Sequence, residues 1–126
     1  SIPAAVGAKF ARPDRDVIAI CGDGSFQMGM NELATIAGNK LNIKIIIMRN
    51  TRLGMVRELQ DKNYNGRHSA TILQGDPDFL TIAKAYGIDC AEASSNEEAE
   101  NIIKGIVDSD KPFILVCNVY PDTPSI

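Results

Sequence analysis

Two short runs rich in β-branched apolar residues, Asp16 to Cys21 (DVIAIC) and Ile43 to Met48 (IKIIIM), constrain this chain more than any other feature. Each reads as a buried strand, the first of them ended by Gly22. Between them Met30, Leu33, Ala34 and Ala37 recur at helical spacing, with Asn31 placed as a cap and Gly38 as the stop. A helix that carries one buried strand over to the next makes a βαβ unit, and its two strands run parallel.

The pattern resumes further along. Asp76 and Pro77 supply a cap and first turn for a helix carrying Phe79, Leu80, Ile82, Ala83 and Tyr86, closed by Gly87. Ile88 to Ala91 is a short strand. Ser95 and Glu98 form a capping box ahead of the stripe Ala99, Ile102, Ile103, Ile106 and Val107, which is expected to face the core. Phe113 to Val119 is the last strand. The fold class expected is therefore α/β, a parallel sheet with helices on both faces. Asn50 to Gly75 is the exception, polar and poorly patterned, and a short helix near Leu53 to Leu59 followed by a mobile segment is expected there. At 126 residues one domain, residues 1–126, accounts for the chain. Ser1 to Ala11 has a small-residue helical texture without a convincing cap, so the chain is expected to begin inside an element, as an N-terminally truncated domain would.

Composition removes several classes of function. An apolar fraction of 44% with 23% charged residues is that of a soluble globular protein, and no apolar run approaches the ~20 residues that span a bilayer. A formal net charge of -3, with Lys and Arg scattered, offers no footprint for nucleic acid. Cys21, Cys90 and Cys117 are too few and too far apart for a disulfide framework or a CxxC site, which fits a reducing, cytoplasmic setting.

In an open parallel sheet, ligands sit beyond the carboxyl ends of the strands. Gly22-Asp23-Gly24-Ser25 follows the first strand and Asn50 follows the second, so a carboxylate and an amide oxygen can meet at one edge, with glycines that let backbone N–H groups approach an anion. Few, hard oxygen ligands beside such a turn suit Mg²⁺ shared with a phosphate group. Alone, a GDG serves equally as a structural turn, and an Asn as a turn former. Their matching placement makes a ligand pair the better reading. His68 lies in the polar segment NGRHSAT and is read as a solvated loop residue rather than a general base. Cys21 and Cys117 are read as small core residues, and Met28, Met30 and Met55 as core or pocket lining.

Gly22-Asp23-Gly24, then 25 residues, then Asn50 resembles the thiamine diphosphate motif. That motif usually ends in two Asn residues, and here the first is replaced by Arg49. The surrounding segments IPAAVGAKFARPDR, GDGSFQM, NELATI and LGMV are similar to those of the acetolactate synthases (acetohydroxyacid synthases), with the similarity weakening after about residue 90. The resemblance implies a thiamine diphosphate-binding fold, present here as a partial domain. It implies that Asp23, the Asn50 side chain and the backbone carbonyl of Arg52 bind Mg²⁺, and that Gly24, Ser25, Gly54 and Met55 hold the diphosphate with Gly22 at the turn. It implies an enzyme that condenses pyruvate with a second 2-oxo acid, pyruvate or 2-oxobutyrate, with loss of CO₂. The activating Glu would come from a partner subunit, the wedge that bends the cofactor from upstream of Ser1, and most of an FAD site from another domain. A homodimer or higher homo-oligomer, with a possible regulatory subunit, is implied as well. At the position of Leu59 many biosynthetic members carry a Trp that favours 2-oxobutyrate, so Leu59 is singled out for substrate specificity. Another thiamine diphosphate enzyme (a glyoxylate carboligase, a catabolic acetolactate-forming enzyme or a pyruvate oxidase) and a non-catalytic α/β binding module are the rival readings.

Overall fold

The two β-branched runs lie side by side in the computed structural model of the protein, which describes residues 1–121 and so stops short of the last residues of the 1–126 domain. They form strands β1 (Val17–Gly22) and β2 (Ile43–Arg49), paired in parallel from Val17 opposite Ile43 to Gly22 opposite Met48. Strands β3 (Asp89–Ala93) and β4 (Phe113–Asn118) complete a parallel sheet of order β1-β2-β4-β3. The helices are α1 (Ile2–Ala11), α2 (Asp23–Gly29), α3 (Leu33–Gly38), α4 (Gly54–Tyr64), α5 (Phe79–Ala85) and α6 (Asn96–Ile106), with a 3₁₀ turn at Met30–Glu32. None of them is long and apolar enough to cross a membrane among the described residues.

One face of the sheet carries the main core. Ala19 and Cys21 of β1, Ile43, Ile45 and Ile47 of β2, and Ile114 and Val116 of β4 pack there with Ile2, Val6, Phe26, Leu33, Ile36 and Phe79 from the helices. The other face is thinner. It holds α6, which contacts β3 and β4 and has no fully buried residue, so its apolar stripe is only half-covered. Ile18 and Ile20 of β1 stay 53% and 64% exposed on this face, with Ile18 sharing a shallow apolar cavity with Ile103, Ile106 and Val107. Helices do lie on both faces, but β1 alternates buried and exposed where a two-sided burial was expected.

Several boundaries move for physical reasons. The crossover helix starts at Asp23 rather than near Asn31, because Gly22 is already extended and the Asp23 carboxylate accepts the Gly24 amide, a favourable arrangement in a first turn; Asn31 falls in the 3₁₀ turn instead. The cap of α5 is Asp78, not Asp76. Its Oδ1 accepts the Thr81 amide at 3.0 Å and its Oδ2 the Thr81 hydroxyl at 2.6 Å, while Asp76 turns to Arg49. Gly87, at φ +68°, ends α5 as expected. Ser95 caps α6 through the Glu98 amide, but Glu98 reaches back to the Ser94 amide, one residue earlier than a capping box requires.

Lys44 sits within the isoleucine run of β2 and is buried. Its ammonium donates to Asn42 Oδ1, Ser109 O and Lys111 O, which ties the turn after α6 to the sheet. Burial pushes its pKa down, against the opposing pull of Asp110 and Asp16.

Candidate functional site

The carboxyl ends of β1 and β2 meet at Asp23. Its carboxylate is 1% exposed and accepts three backbone amides: Gly24 at Oδ1 (2.8 Å), and Asn50 (3.1 Å) and Thr51 (2.6 Å) at Oδ2. The parallel register that sets Gly22 opposite Met48 brings these groups together, although 27 residues separate Asp23 from Asn50. Asn50 Oδ1 accepts the Arg52 amide at 3.0 Å, forming an Asx turn. A carboxylate offers roughly four lone-pair positions and an amide oxygen two, so Asp23 and Asn50 each keep one acceptor position for a cation. Two side-chain oxygens at one sheet edge are the start of a hard, sparse donor set of the kind Mg²⁺ uses with phosphate and water. The described residues contain no cluster of three or more His, Cys, Asp or Glu that would suit a softer or all-protein metal cage.

The chain then makes a strained turn. Thr51 has φ +59°, a left-handed conformation that a β-branched residue adopts at a cost of about 1–3 kcal/mol unless its surroundings hold it there. Two bonds do so: its amide on Asp23 and its hydroxyl on Asn50 O at 2.7 Å. The arms of the loop pair immediately afterwards, through Leu53 N to Thr71 O, Leu73 N to Thr51 O and an antiparallel bridge between Arg52 and Ile72. Leu53 and Leu73 close over Gly24, where an added Cβ would lie 2.8 Å from Leu53 Cδ2 and 3.6 Å from Leu73 Cδ1. A side chain at 24 would thus have to displace the Leu53 methyl that packs over the turn.

Gly54 and Met55 open α4, which continues to Tyr64 rather than stopping at Leu59 and is closed by Asn65 in the left-handed conformation. The stretch from Asn50 to Gly75 is therefore more regular than its composition suggests. Helix α4 has no buried residue, and Met55 and Leu59 are 66% and 57% exposed. Ser25 is exposed at the start of α2. His68 sits in the exposed return of the loop and bonds Asp61 at 2.6 Å, which makes it a tie between that return and α4. Cys21, Cys90 and Cys117 are free thiols whose pKa values burial pushes up, as fits packing rather than nucleophilic roles. Met28 is 79% and Met30 38% exposed, so neither is a core residue, Met28 lying on the outer side of α2. Thr51 was not legible as a site residue, since a Thr argues against a left-handed turn. Arg49 and Asp76 had a signal, opposite charges bracketing the irregular segment.

Residues 1–117 match the family described as thiamine pyrophosphate enzyme, C-terminal TPP binding domain. The chain belongs to this family. It is 40% identical over 129 aligned residues to the acetolactate synthase isozyme 2 large subunit of Escherichia coli (strain K12), covering 98% of this chain and 24% of that one. It is 39% identical over 114 residues to the acetolactate synthase large subunit of Lactococcus lactis subsp. lactis (strain IL1403), covering 90% and 20%. Among solved structures, the Rhodococcus jostii RHA1 thiamine diphosphate-dependent 4-hydroxybenzoylformate decarboxylase superposes with a TM-score of 0.86 at 30% identity, over 96% of this chain and 23% of that one. The chain thus spans about a fifth to a quarter of the relatives it matches. The thiamine diphosphate-binding fold expected from the sequence is the fold found, as a parallel four-stranded sheet with helices.

Proposed function

We propose that this domain anchors Mg²⁺ and thiamine diphosphate in an acetolactate synthase, a transferase that joins pyruvate to a second 2-oxo acid with loss of CO₂. The observation that supports this reading is the buried Asp23 carboxylate met by the Asn50–Thr51 backbone at the ends of adjacent strands. In this reading Asp23, the Asn50 side chain and the Arg52 carbonyl hold Mg²⁺, and the amides of Gly24, Ser25, Gly54 and Met55 hold the diphosphate. When bound, thiamine diphosphate supplies a nucleophilic carbon and a sink for the electrons left when CO₂ departs. The chain's own work is to fix the anionic end of the cofactor, with Leu53 and Leu73 shielding the turn at Gly24 from water. The activating carboxylate would come from a partner subunit, so the working enzyme is a homodimer or larger assembly in the cytoplasm, with FAD bound mostly outside residues 1–126 and a regulatory subunit where one exists.

The test is a titration of the intact enzyme that carries residues 1–126 with thiamine diphosphate, with and without Mg²⁺, followed by a product assay on pyruvate. Mg²⁺-dependent binding and formation of 2-acetolactate are expected, whereas residues 1–126 alone should form none. Release of CO₂ with an aldehyde as the sole product would favour the simple decarboxylase reading that the solved relative raises.

Leu59 carries the specificity reading. It is exposed on α4, four residues beyond Met55 and hence on the same side of the helix. Pyruvate and 2-oxobutyrate differ by one methylene, which an apolar pocket converts into only about 1–3 kcal/mol. The native chain is expected to discriminate weakly, and Leu59→Trp to raise the 2-oxobutyrate to pyruvate product ratio by about tenfold. A strong native preference that the substitution leaves unchanged would remove Leu59 from this role.

A further inference from the structure

Arg49 ends β2, directly before Asn50, and its guanidinium draws several chain segments together. Nε donates to Asp76 Oδ2 at 2.8 Å, and Nη2 donates to the same oxygen. Nη1 donates to Glu92 Oε1 of β3 at 3.2 Å and, more weakly, to Asn118 Oδ1 of β4 at 3.4 Å. The amide of Asn118 bonds Glu92 at 2.7 Å and Ser94 Oγ at 3.1 Å. One cation thus joins the carboxyl ends of β2, β3 and β4 to Asp76. Arg49, Asp76 and Glu92 line a polar cleft of about 290 Å³. Because the Arg49 donors already have acceptors within the chain, the cleft reads as a built joint rather than a binding site for an anion.

The position of the joint in the chain gives it meaning. Arg49 immediately precedes the 50–75 loop and Asp76 immediately follows it, so their ion pair closes the loop at its base. The two side chains are 31% and 17% exposed, enough shielding to lift the pair above an ordinary surface salt bridge. Just inside this base stands Thr51, in a conformation that persists only while its surroundings impose it. Asp23 and the Arg52–Ile72 bridge hold one side of that turn, and Arg49, bonded to the residue before it, holds the other.

We propose that Arg49 and Asp76 form a clasp that closes the base of the 50–75 loop and so holds the Asn50 and Thr51 backbone against Asp23. Both are positioning residues, acting through the loop. Their effect on cofactor affinity rests on the cofactor reading of the Asp23 site; their effect on the loop does not.

The test compares the intact enzyme that carries residues 1–126 with its Arg49→Ala, Asp76→Ala, double, Arg49→Lys and Asp76→Asn variants. Two quantities are read: the Kd for thiamine diphosphate at saturating Mg²⁺, and hydrogen exchange at the amides of Thr51, Leu53 and Leu73 against Leu115 of β4 without cofactor. Each alanine variant is expected to raise Kd about tenfold, the scale of one lost charge-assisted hydrogen bond. The double variant should be no weaker than Arg49→Ala, because the Arg49–Asp76 pair is already lost there, together with the Glu92 and Asn118 bonds that Asp76→Ala keeps. Arg49→Lys keeps the charge but not the fork that reaches Asp76, Glu92 and Asn118 together, so its Kd should fall between the native and the alanine values. Loop amides should exchange faster in the alanine variants while Leu115 is unchanged. Should the alanine variants fold poorly, Asp76→Asn, nearly isosteric, carries the same expectations. Unchanged loop exchange or strictly additive losses would overturn the clasp. If the native chain binds no thiamine diphosphate, the cofactor reading fails and exchange alone decides: faster loop exchange in Asp76→Asn supports the clasp, and native-like exchange overturns it.

Discussion

Asp23→Asn is expected to weaken Mg²⁺-dependent thiamine diphosphate binding by about a hundredfold or more, while Asp23→Ala should also destabilise the fold by about 2–4 kcal/mol. The two substitutions remove different things. Asn keeps the shape of the side chain and one acceptor oxygen but loses the charge that a hard divalent cation needs. Ala removes the acceptor of three backbone amides, the buried one of Gly24 and the part-buried ones of Asn50 and Thr51. Buried donors without a partner carry the full cost of their lost hydration. From the sequence alone Asp23→Ala is expected to abolish metal-dependent cofactor binding and leave the fold nearly unchanged; the 1% exposure of Asp23 argues against the second part. Titration calorimetry with and without Mg²⁺ measures the first effect and urea unfolding the second. Undiminished Mg²⁺-dependent binding in Asp23→Asn would end the ligand assignment.

Phe26→Ala should cost about 3–5 kcal/mol, the range for truncating a large buried aromatic residue. Phe26 is 0% exposed, and its ring meets that of Phe79 edge-on, with centroids 5.2 Å apart and an interplanar angle of 81°. That geometry suits the aromatic quadrupoles and adds to the area buried. It also couples α2, which begins with Asp23 and Gly24, to α5, which follows the loop. The cavity would therefore open beneath the proposed cofactor turn. Met28, two residues further along the same helix, is 79% exposed, and Met28→Ala is expected to change stability by no more than about 0.5 kcal/mol. Equal unfolding midpoints for the two variants in urea would contradict this placement of the core.

What could be read from the sequence were features whose causes are local. The β-branched runs mark β1, β2 and β4 because a short apolar stretch bounded by turn residues has few other uses. The Ser95 cap, the Gly87 stop and the placement of Asp23 and Asn50 just past two consecutive strands depend on neighbours a few residues away. The choice between Asp76 and Asp78 as the cap of α5 did not, since both are competent caps two residues apart. Arg49, 27 residues from Asp76, takes one of them and leaves the other to the helix. Lys44 reads as an interruption in an apolar strand until Ser109 O, 65 residues on, is brought beside it. Its burial, the bare side of β1, the three amides on Asp23 and the left-handed Thr51 all follow from the strand order β1-β2-β4-β3 and from where the helices land on it. Periodicity and caps record what a residue does to its neighbours. They carry no record of which distant segment the sheet will set against it, and at the carboxyl ends of these strands that contact decides which groups are left to hold a ligand.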